Sequence, residues 1–129
     1  MIAEQLTLTG LPTVVQSRPK TDLIDVPFEW MSVDYVMSLE SMDTYGGLRA
    51  DAEVAKYKRA DTGYETLKAD IRKRGFIDPV GIENNPYEGG DYLTNGHHRV
   101  LICVDLGYTH IPITRDSTVA WRDSGGVHS

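Results

Sequence analysis

The stretch from Asp91 to Gly107, DYLTNGHHRVLICVDLG, decides the fold. It predicts a short strand, a tight turn and then a helix. Residues 100–104 are all apolar, and Leu106 extends the run, so we expect the helix to be buried on most sides. Gly107 predicts the end of the helix, because glycine readily adopts the left-handed conformation found there.

The turn in this stretch carries residues suited to an anion. Asn95 is the expected N-cap, and Gly96 allows a sharp bend or a close approach to a ligand. His97, His98 and Arg99 then fall in the first helical turn, where unpaired N–H groups and the positive end of the helix dipole point outward. Cationic side chains are unfavourable there unless an anion such as a phosphate offsets them. The turn therefore predicts a phosphate site.

Composition limits the class of protein. A chain of 129 residues suits one domain with a real core. The formal net charge of −6 argues against broad electrostatic binding to DNA, although a local basic patch is compatible with it. Cys103 is the one cysteine, which excludes a disulfide within the chain and predicts a buried small apolar residue. With no apolar run of membrane-span length and no basic-then-apolar start, we expect a cytoplasmic protein without membrane contact.

The first half of the chain predicts two strands and two helices. Residues 6–9 alternate as an edge strand does, and residues 23–26 predict a strand closed by Pro27. Ser32 predicts the cap of a helix with Val33, Val36 and Met37 on one side. Residues 48–60 follow a glycine pair and have the spacing of an exposed amphipathic helix. Their charges indicate either a solvated face or a basic docking surface formed by Lys56, Lys58 and Arg59.

The second half predicts a helix, a hairpin and a last strand. Thr62 and Glu65 have capping-box spacing, so a helix should begin there, and Gly75 should end it. Strands near 79–83 and 91–94 should form a hairpin across a turn-rich segment. Residues 111–113 predict a short strand that Pro112 places at a sheet edge or a strand start. Residues 123–129 indicate a loose tail.

This order of elements resembles the ParB/sulfiredoxin superfamily, and more narrowly the ParB-like nuclease family. The resemblance covers residues 22–115, between an N-terminal extension (1–21) and a C-terminal tail (116–129). It depends on RGF at 74–76 with DPV at 78–80, and on NGHHR at 95–99 with LGY and IP after it. It implies a compact α+β domain with a small mixed sheet and packed helices. It also implies a nucleotide whose phosphates rest at the helix start, with Gly96, His98 and Arg99 matching the phosphate motif.

The motif departs from those of some branches of the superfamily. Sulfiredoxins carry a reactive cysteine where this chain has His97, so sulfinic-acid reduction is not expected. Chromosome-partitioning ParB proteins carry Glu-Arg-Arg after the glycine and a helix-turn-helix region further on, which this sequence does not contain. The Gly-His-His-Arg form is similar to the free-serine kinase branch, in which the same turn holds nucleotide phosphates beside a carboxylate base.

Each candidate site residue has an alternative role. Arg99 can bind a phosphate through two oxygens, or form a salt bridge to Asp91 or Asp105. His98 and His97 can donate to developing negative charge or transfer a proton, since imidazole titrates near neutral pH, or one of them can be an ordinary surface or core histidine. Glu65 and Asp78 can orient a water or hydroxyl, or serve only in capping and turn formation. Arg72 and Arg74 can reach phosphates or offset the helix dipole, and the dipole role is the simpler one.

These residues predict a domain that binds a nucleotide of the ATP, ADP or CTP class, then hydrolyses it, transfers its phosphoryl group or cuts nucleic acid. Adjacent helical residues point about 100° apart, so a zinc site on His97 and His98 is not expected. A Mg²⁺ ion held mainly by substrate phosphates is compatible with the sequence. The alternatives are a non-catalytic nucleotide-binding module and a nucleic-acid-binding regulator. Homo-oligomers are compatible with the sequence, and a small stand-alone form would suit a phage.

Overall fold

The computed structural model describes residues 4–6, 12–14 and 16–120. Its strands are β1 (Glu4–Leu6), β2 (Pro12–Val14), β3 (Glu29–Ser32), β4 (Val80–Asn84), β5 (Asp91–Asn95) and β6 (His110–Thr114). Its helices are α1 (Val33–Met37), α2 (Gly47–Ala50), α3 (Ala52–Ala60), α4 (Tyr64–Arg74), α5 (His97–Leu106) and α6 (Ser117–Ala120). The strand predicted at 6–9 therefore overlaps β1 only at Leu6. The rest of it, and the predicted tail at 123–129, lie outside the described residues.

A four-stranded mixed sheet organises the domain, in the order β3-β6-β4-β5. Strands β3 and β6 are antiparallel, as are β4 and β5, whereas β4 and β6 are parallel. The predicted hairpin is confirmed, with a register shift between Gly81 and Ile82. Strands β1 and β2 form a separate antiparallel pair. The described residues thus form a small α+β domain, as the sequence predicted.

Helix α5 lies at the centre of the core, as its apolar run predicted. Val100, Leu101, Ile102 and Cys103 are each 0% exposed. The sheet and the loop before it supply other fully buried side chains of the same core, which are Phe76, Val80, Ile82, Leu93, Ile111 and Ile113. Burying one such aliphatic or aromatic side chain is worth about 1.5–3 kcal/mol, so α5 is held rigidly in place.

The strand predicted at residues 23–26 is wrong. Ile24 donates to the carbonyl of Thr21 at 3.0 Å in a turn, and the strand begins instead at Glu29. Pro27 explains the shift, because it has no N–H to donate to a neighbouring strand. Leu23 is 41% exposed, so this turn does not contribute it to the core.

The edge position predicted for Pro112 is also wrong, since β6 is an interior strand. Pro112 pairs with Trp30 on the antiparallel side. The parallel ladder to β4 covers only Ile113 and Thr114, and so begins just after the proline. The missing N–H therefore does not interrupt that ladder.

The predicted helix at 48–60 is divided at Asp51. The carboxylate of Asp51 accepts from the amide of Val54 at 3.3 Å and so caps α3, while α2 ends before it. The cap predicted at Ser32 is confirmed, because its hydroxyl accepts from the amide of Tyr35 at 3.3 Å.

Two other predicted N-caps are wrong by one residue. Helix α4 is preceded by Gly63 rather than Thr62, and α5 by Gly96 rather than Asn95. Both glycines have positive φ, +93° and +107°, and neither cap position makes a side-chain hydrogen bond. The chain enters each helix through a left-handed residue, which favours glycine over a polar cap. The helix ends predicted at Gly75 and Gly107 are confirmed.

Candidate functional site

The site predicted from the sequence lies at the start of α5, where β5 turns into the helix. A Cβ atom on Gly96 would lie 2.8 Å from Val80 Cγ2, so the backbone approaches the core closely here. The close approach that glycine allows is therefore toward the protein itself. Asn95 ends β5 and is 1% exposed.

His97 is buried and faces the connection between α1 and α2. Its Nε2 lies 2.8 Å from the hydroxyl oxygen of Ser41. Its Nδ1 is buried without a hydrogen-bond partner and lies 3.9 Å from a carboxylate oxygen of Asp43. Burial lowers the pKa of His97 to about 4, helped by Lys58 and opposed by Asp43. The imidazole is therefore neutral at pH 7.

His98 is also buried, and it faces the turn between α3 and α4. Its Nε2 lies 2.7 Å from a carboxylate oxygen of Asp61, while its Nδ1 is buried without a hydrogen-bond partner. Burial lowers the pKa of His98, and the hydrogen bond to Asp61 opposes that shift. The ring of Tyr64 lies beside it, with the two ring centroids 6.2 Å apart.

Arg99 is turned into the protein and is bound to backbone. Its Nη1 donates to the carbonyl oxygen of Asp78 at 2.5 Å. Burial lowers its pKa to about 10, which leaves the guanidinium charged at pH 7. Arg99 and Asp78 line a small crevice of about 20 Å³, which has room for about one water molecule.

The side chains of His97, His98 and Arg99 are therefore turned into the protein, and the start of α5 is not an open site. They are 3%, 7% and 6% exposed, because two loops cover the start of α5. The salt bridge proposed as the alternative for Arg99 is wrong. Asp91 accepts instead from Arg115, and Asp105 accepts from Arg59.

The two loops contribute the residues that the sequence analysis missed. Asp43 and Asp61, together with His97 and His98, form what we call the histidine cluster. Lys58 joins it through an ion pair of 3.1 Å to Asp43. No local pattern marked these loop residues, because each lies 37 or more positions from the histidine that it approaches. A polar residue in a turn between two helices is ordinary in any sequence.

The remaining candidates lie outside this cluster. Glu65 is on the exposed surface of α4, where its carboxylate pairs with Lys68 at 3.3 Å. Of the proposed basic docking surface, Lys58 pairs with Asp43 and Arg59 with Asp105, so two of its three cations are already neutralised. Arg74 pairs with Asp70 one helical turn earlier.

No group of three His, Cys, Asp or Glu side chains within the described ranges is arranged to hold a metal ion. None of the helices in those ranges is long and apolar enough to cross a membrane. A cleft of about 480 Å³ opens beside the other end of α5, lined in part by Val33, Tyr108 and His110. It lies apart from the histidine cluster.

Comparison with known proteins gives little further information. No protein family model matches the chain, and no solved structure matches it. A protein of Acidianus two-tailed virus, described as "Uncharacterized protein ORF326b", is 32% identical over 66 residues. That alignment covers 51% of this chain and 19% of the viral protein, so the chain corresponds to a minor part of its relative.

Proposed function

We propose that this domain binds a phosphate ester of the nucleotide class at the start of α5, and hydrolyses it or transfers its phosphoryl group. The observation that carries the proposal is the pair of buried Nδ1 atoms on His97 and His98, neither of which has a hydrogen-bond partner. A buried polar atom left unpaired costs about 1–3 kcal/mol, and a ligand that pairs with it would recover that cost. The atoms lie at the amino end of a ten-residue helix, where anions are favoured.

The proposal gives each group a defined task. Backbone amides in the first turn of α5 would donate hydrogen bonds to phosphate oxygens, because these amides have no partner within the helix. His98 would transfer the proton, because its imidazole is neutral and one nitrogen is unpaired. Arg99 would support the turn rather than contact the phosphate, since its guanidinium is bound to Asp78. Mg²⁺, bound mainly to the phosphates, would neutralise their charge.

Binding requires the two loops to move, because they close over the histidines. Asp61 is the more exposed of the two covering groups, since 56% of its side chain is open to solvent. The contact from Ser41 is buried and is reinforced by a second hydrogen bond of 2.9 Å to Thr44. We therefore expect the site to open by movement of the loop that carries Asp61, with the carboxylate still bound to His98 Nε2.

The closed state favours a second candidate, a non-catalytic nucleotide-binding module. In such a module the nucleotide would displace Asp61 and change the shape of the surface, and no bond would be broken. The observation in its favour is that the Nδ1 atoms of His97 and His98 are both buried. Cutting of nucleic acid, and sequence-independent nucleic-acid binding, are less favoured. Net charge is −6, and Arg59, Arg74 and Arg115 all pair with carboxylates.

The resemblance to the ParB-like nuclease family agrees with this proposal, since the family binds phosphates at the corresponding turn. Membership of the ParB-like nuclease family, and the ParB/sulfiredoxin-like fold that it implies, are part of this proposal. The viral origin of one similar protein agrees with the proposed phage or mobile-element source.

Thermal unfolding with ATP, ADP, CTP and pyrophosphate, each with Mg²⁺, tests the binding step. A ligand at 100 times its Kd stabilises the folded state by about 2.7 kcal/mol, so Tm should rise by several degrees. Release of inorganic phosphate from the same mixtures tests catalysis. Stabilisation without product would identify the non-catalytic module.

Two variants sharpen this experiment. His98→Asn should lower phosphate release at least tenfold, because it removes the nitrogen that takes up the proton. His110→Asn is the matched control, because His110 is a part-buried histidine at the start of β6, away from the cluster. If none of the four compounds raises Tm in the unaltered chain, the phosphate site does not exist.

A further inference from the structure

We infer that Asp61 is a positioning residue, which holds His98 with its proton on Nε2 and thereby makes Nδ1 the acceptor for a hydroxyl or water proton. This inference deepens the proposed function and rests on it. It names the part of the substrate that His98 meets, which is a hydrogen-bond donor rather than a phosphate oxygen.

The contact between the two side chains sets the tautomer. An ionised carboxylate can only accept, so the 2.7 Å contact requires the proton of the neutral imidazole to be on Nε2. Nδ1 then carries a lone pair, and it is the atom that is buried without a partner. A lone pair cannot stabilise a phosphate oxygen, because both are acceptors. It can accept the proton of an alcohol or a water.

The other carboxylates are less suited to this task. The nearest carboxylate oxygen of Asp43 lies 3.9 Å from the ring of His97, and its partner is Lys58 at 3.1 Å. Glu65, the base candidate from the sequence, is 76% exposed and pairs with Lys68. Asp61 alone of the three makes a close hydrogen bond to a ring nitrogen.

The proposed step exchanges one bond to phosphorus for another and moves one proton. The hydroxyl oxygen forms its bond to phosphorus while its proton passes to His98 Nδ1. The bond from phosphorus to the leaving oxygen breaks, and the leaving phosphate takes the electron pair. The imidazolium, held by Asp61, then returns the proton to the leaving group or to water. Water as the nucleophile gives hydrolysis, and an alcohol gives phosphoryl transfer.

Long-range ¹H–¹⁵N NMR spectra of the histidine rings in the ligand-free full chain test the inference. The chain has four histidines, so single variants at positions 97, 98 and 110 assign the signals. We expect His98 to show a protonated Nε2 and an unprotonated Nδ1. In Asp61→Ala the ring should become a mixture of tautomers. In Asp61→Asn the amide oxygen can still accept, so the single tautomer should return.

Asp70→Ala is the matched control, because Asp70 pairs with Arg74 and its removal should leave the His98 signals unchanged. A proton on Nδ1, or no change in Asp61→Ala, would overturn the inference even if nucleotides bind. The expected tautomer without stabilisation by any nucleotide would overturn the proposed function, and with it the assignment of the hydroxyl. The expected tautomer, nucleotide binding and at least a tenfold loss of phosphate release in Asp61→Ala would support both.

Discussion

The guanidinium of Arg99 donates to the backbone carbonyl of Asp78, which lies 21 positions earlier in the chain. This bond ties the start of α5 to the loop that enters β4. It gives Arg99 a structural role at the position where the sequence predicted a phosphate ligand. Arg99 is buried, and its guanidinium is still charged at pH 7 although burial lowers its pKa.

Replacing Arg99 with Ala should therefore destabilise the fold by about 2–4 kcal/mol, because it removes a buried hydrogen bond and the packed methylenes of the side chain. Urea unfolding measures this cost. Arg72→Ala, on the exposed surface of α4, is the control and should change the free energy of unfolding by less than about 0.5 kcal/mol. A stable Arg99→Ala variant that has lost only nucleotide binding would contradict the structural role.

Asp105 joins three helices, and its removal should be costly for a different reason. Its carboxylate accepts from Arg59 at 2.8 Å and from the hydroxyl of Tyr64 at 2.6 Å. Asp105→Ala should cost about 1–3 kcal/mol, since the part-buried hydroxyl loses its partner. The matched control is Asp34→Ala, which removes an aspartate paired with Arg49 whose side chain is 90% exposed.

Asp34→Ala should lower the free energy of unfolding by less than about 0.5 kcal/mol, because exposed ion pairs contribute little to stability. Chemical denaturation of both variants gives the comparison. Equal losses for Asp105 and Asp34 would mean that the three-helix contact does not hold the domain together.

Much of the fold was predictable because it depends on local pattern. The apolar run at 100–104 identified the central helix, and the turn-rich segment between two apolar stretches identified the β4–β5 hairpin. The glycines at 75 and 107 identified two helix ends. Strand order was not predictable. The interior position of Pro112 depends on which strand begins beside it, and that is a property of the whole sheet.

The sequence singled out the start of α5, but it did not predict how the side chains there are oriented. The sequence identified His97, His98 and Arg99 as a distinctive group at a helix start. Helical spacing says which residues share a turn, but not which distant loop covers them. The contacts from Ser41 and Asp61 turn an expected open socket into a closed cluster.

Gly96 should be intolerant of any side chain. Its φ of +107° is strained for other residues, and an added Cβ would lie 2.8 Å from Val80 Cγ2. Gly96→Ala should cost about 2 kcal/mol or more, from backbone strain and overpacking together. Gly63→Ala isolates the backbone part, because Gly63 has φ of +93° and nothing lies within 4 Å of its added Cβ.

The double variant Gly96→Ala with Val80→Ala separates the steric part. Its total cost, measured by urea unfolding, should be smaller than the sum of the two single variants, because the clash is absent. Additive costs would show that the contact with Val80 does not matter.

The pH dependence of stability should reveal the buried histidines. The pKa of His97 is about 4 in the folded protein, against 6.5 for an exposed histidine. Below pH 6.5 the unfolded chain binds a proton that the folded protein does not bind, so stability falls as pH is lowered toward 4. For His97 the loss amounts to about 3 kcal/mol over that range, and His98 adds a loss of the same sign.

Other charged groups near the rings, which are Lys58, Asp43, Asp61 and Arg99, are part of the folded-state environment that sets these pKa values. Asp43, Asp91 and Asp105 have lowered pKa values, so their contribution is lost only at lower pH, as they protonate below about 4. The window from pH 6.5 to 4.5 therefore reports mainly on the histidines. Urea unfolding at half-unit steps measures the slope.

His97→Gln should reduce the slope of the unfolding free energy against pH between pH 6 and 4.5. The reduction should correspond to about one bound proton, because glutamine does not titrate. Its stability relative to the unaltered chain at pH 8, where both histidines are neutral, gives the cost of the substitution itself. We expect the variant to lose stability at pH 8 but to regain part of the difference at pH 5. An unchanged slope, or an NMR titration of His97 at or above pH 6.5, would mean that the imidazole is in contact with water and that the two loops do not close over the start of α5.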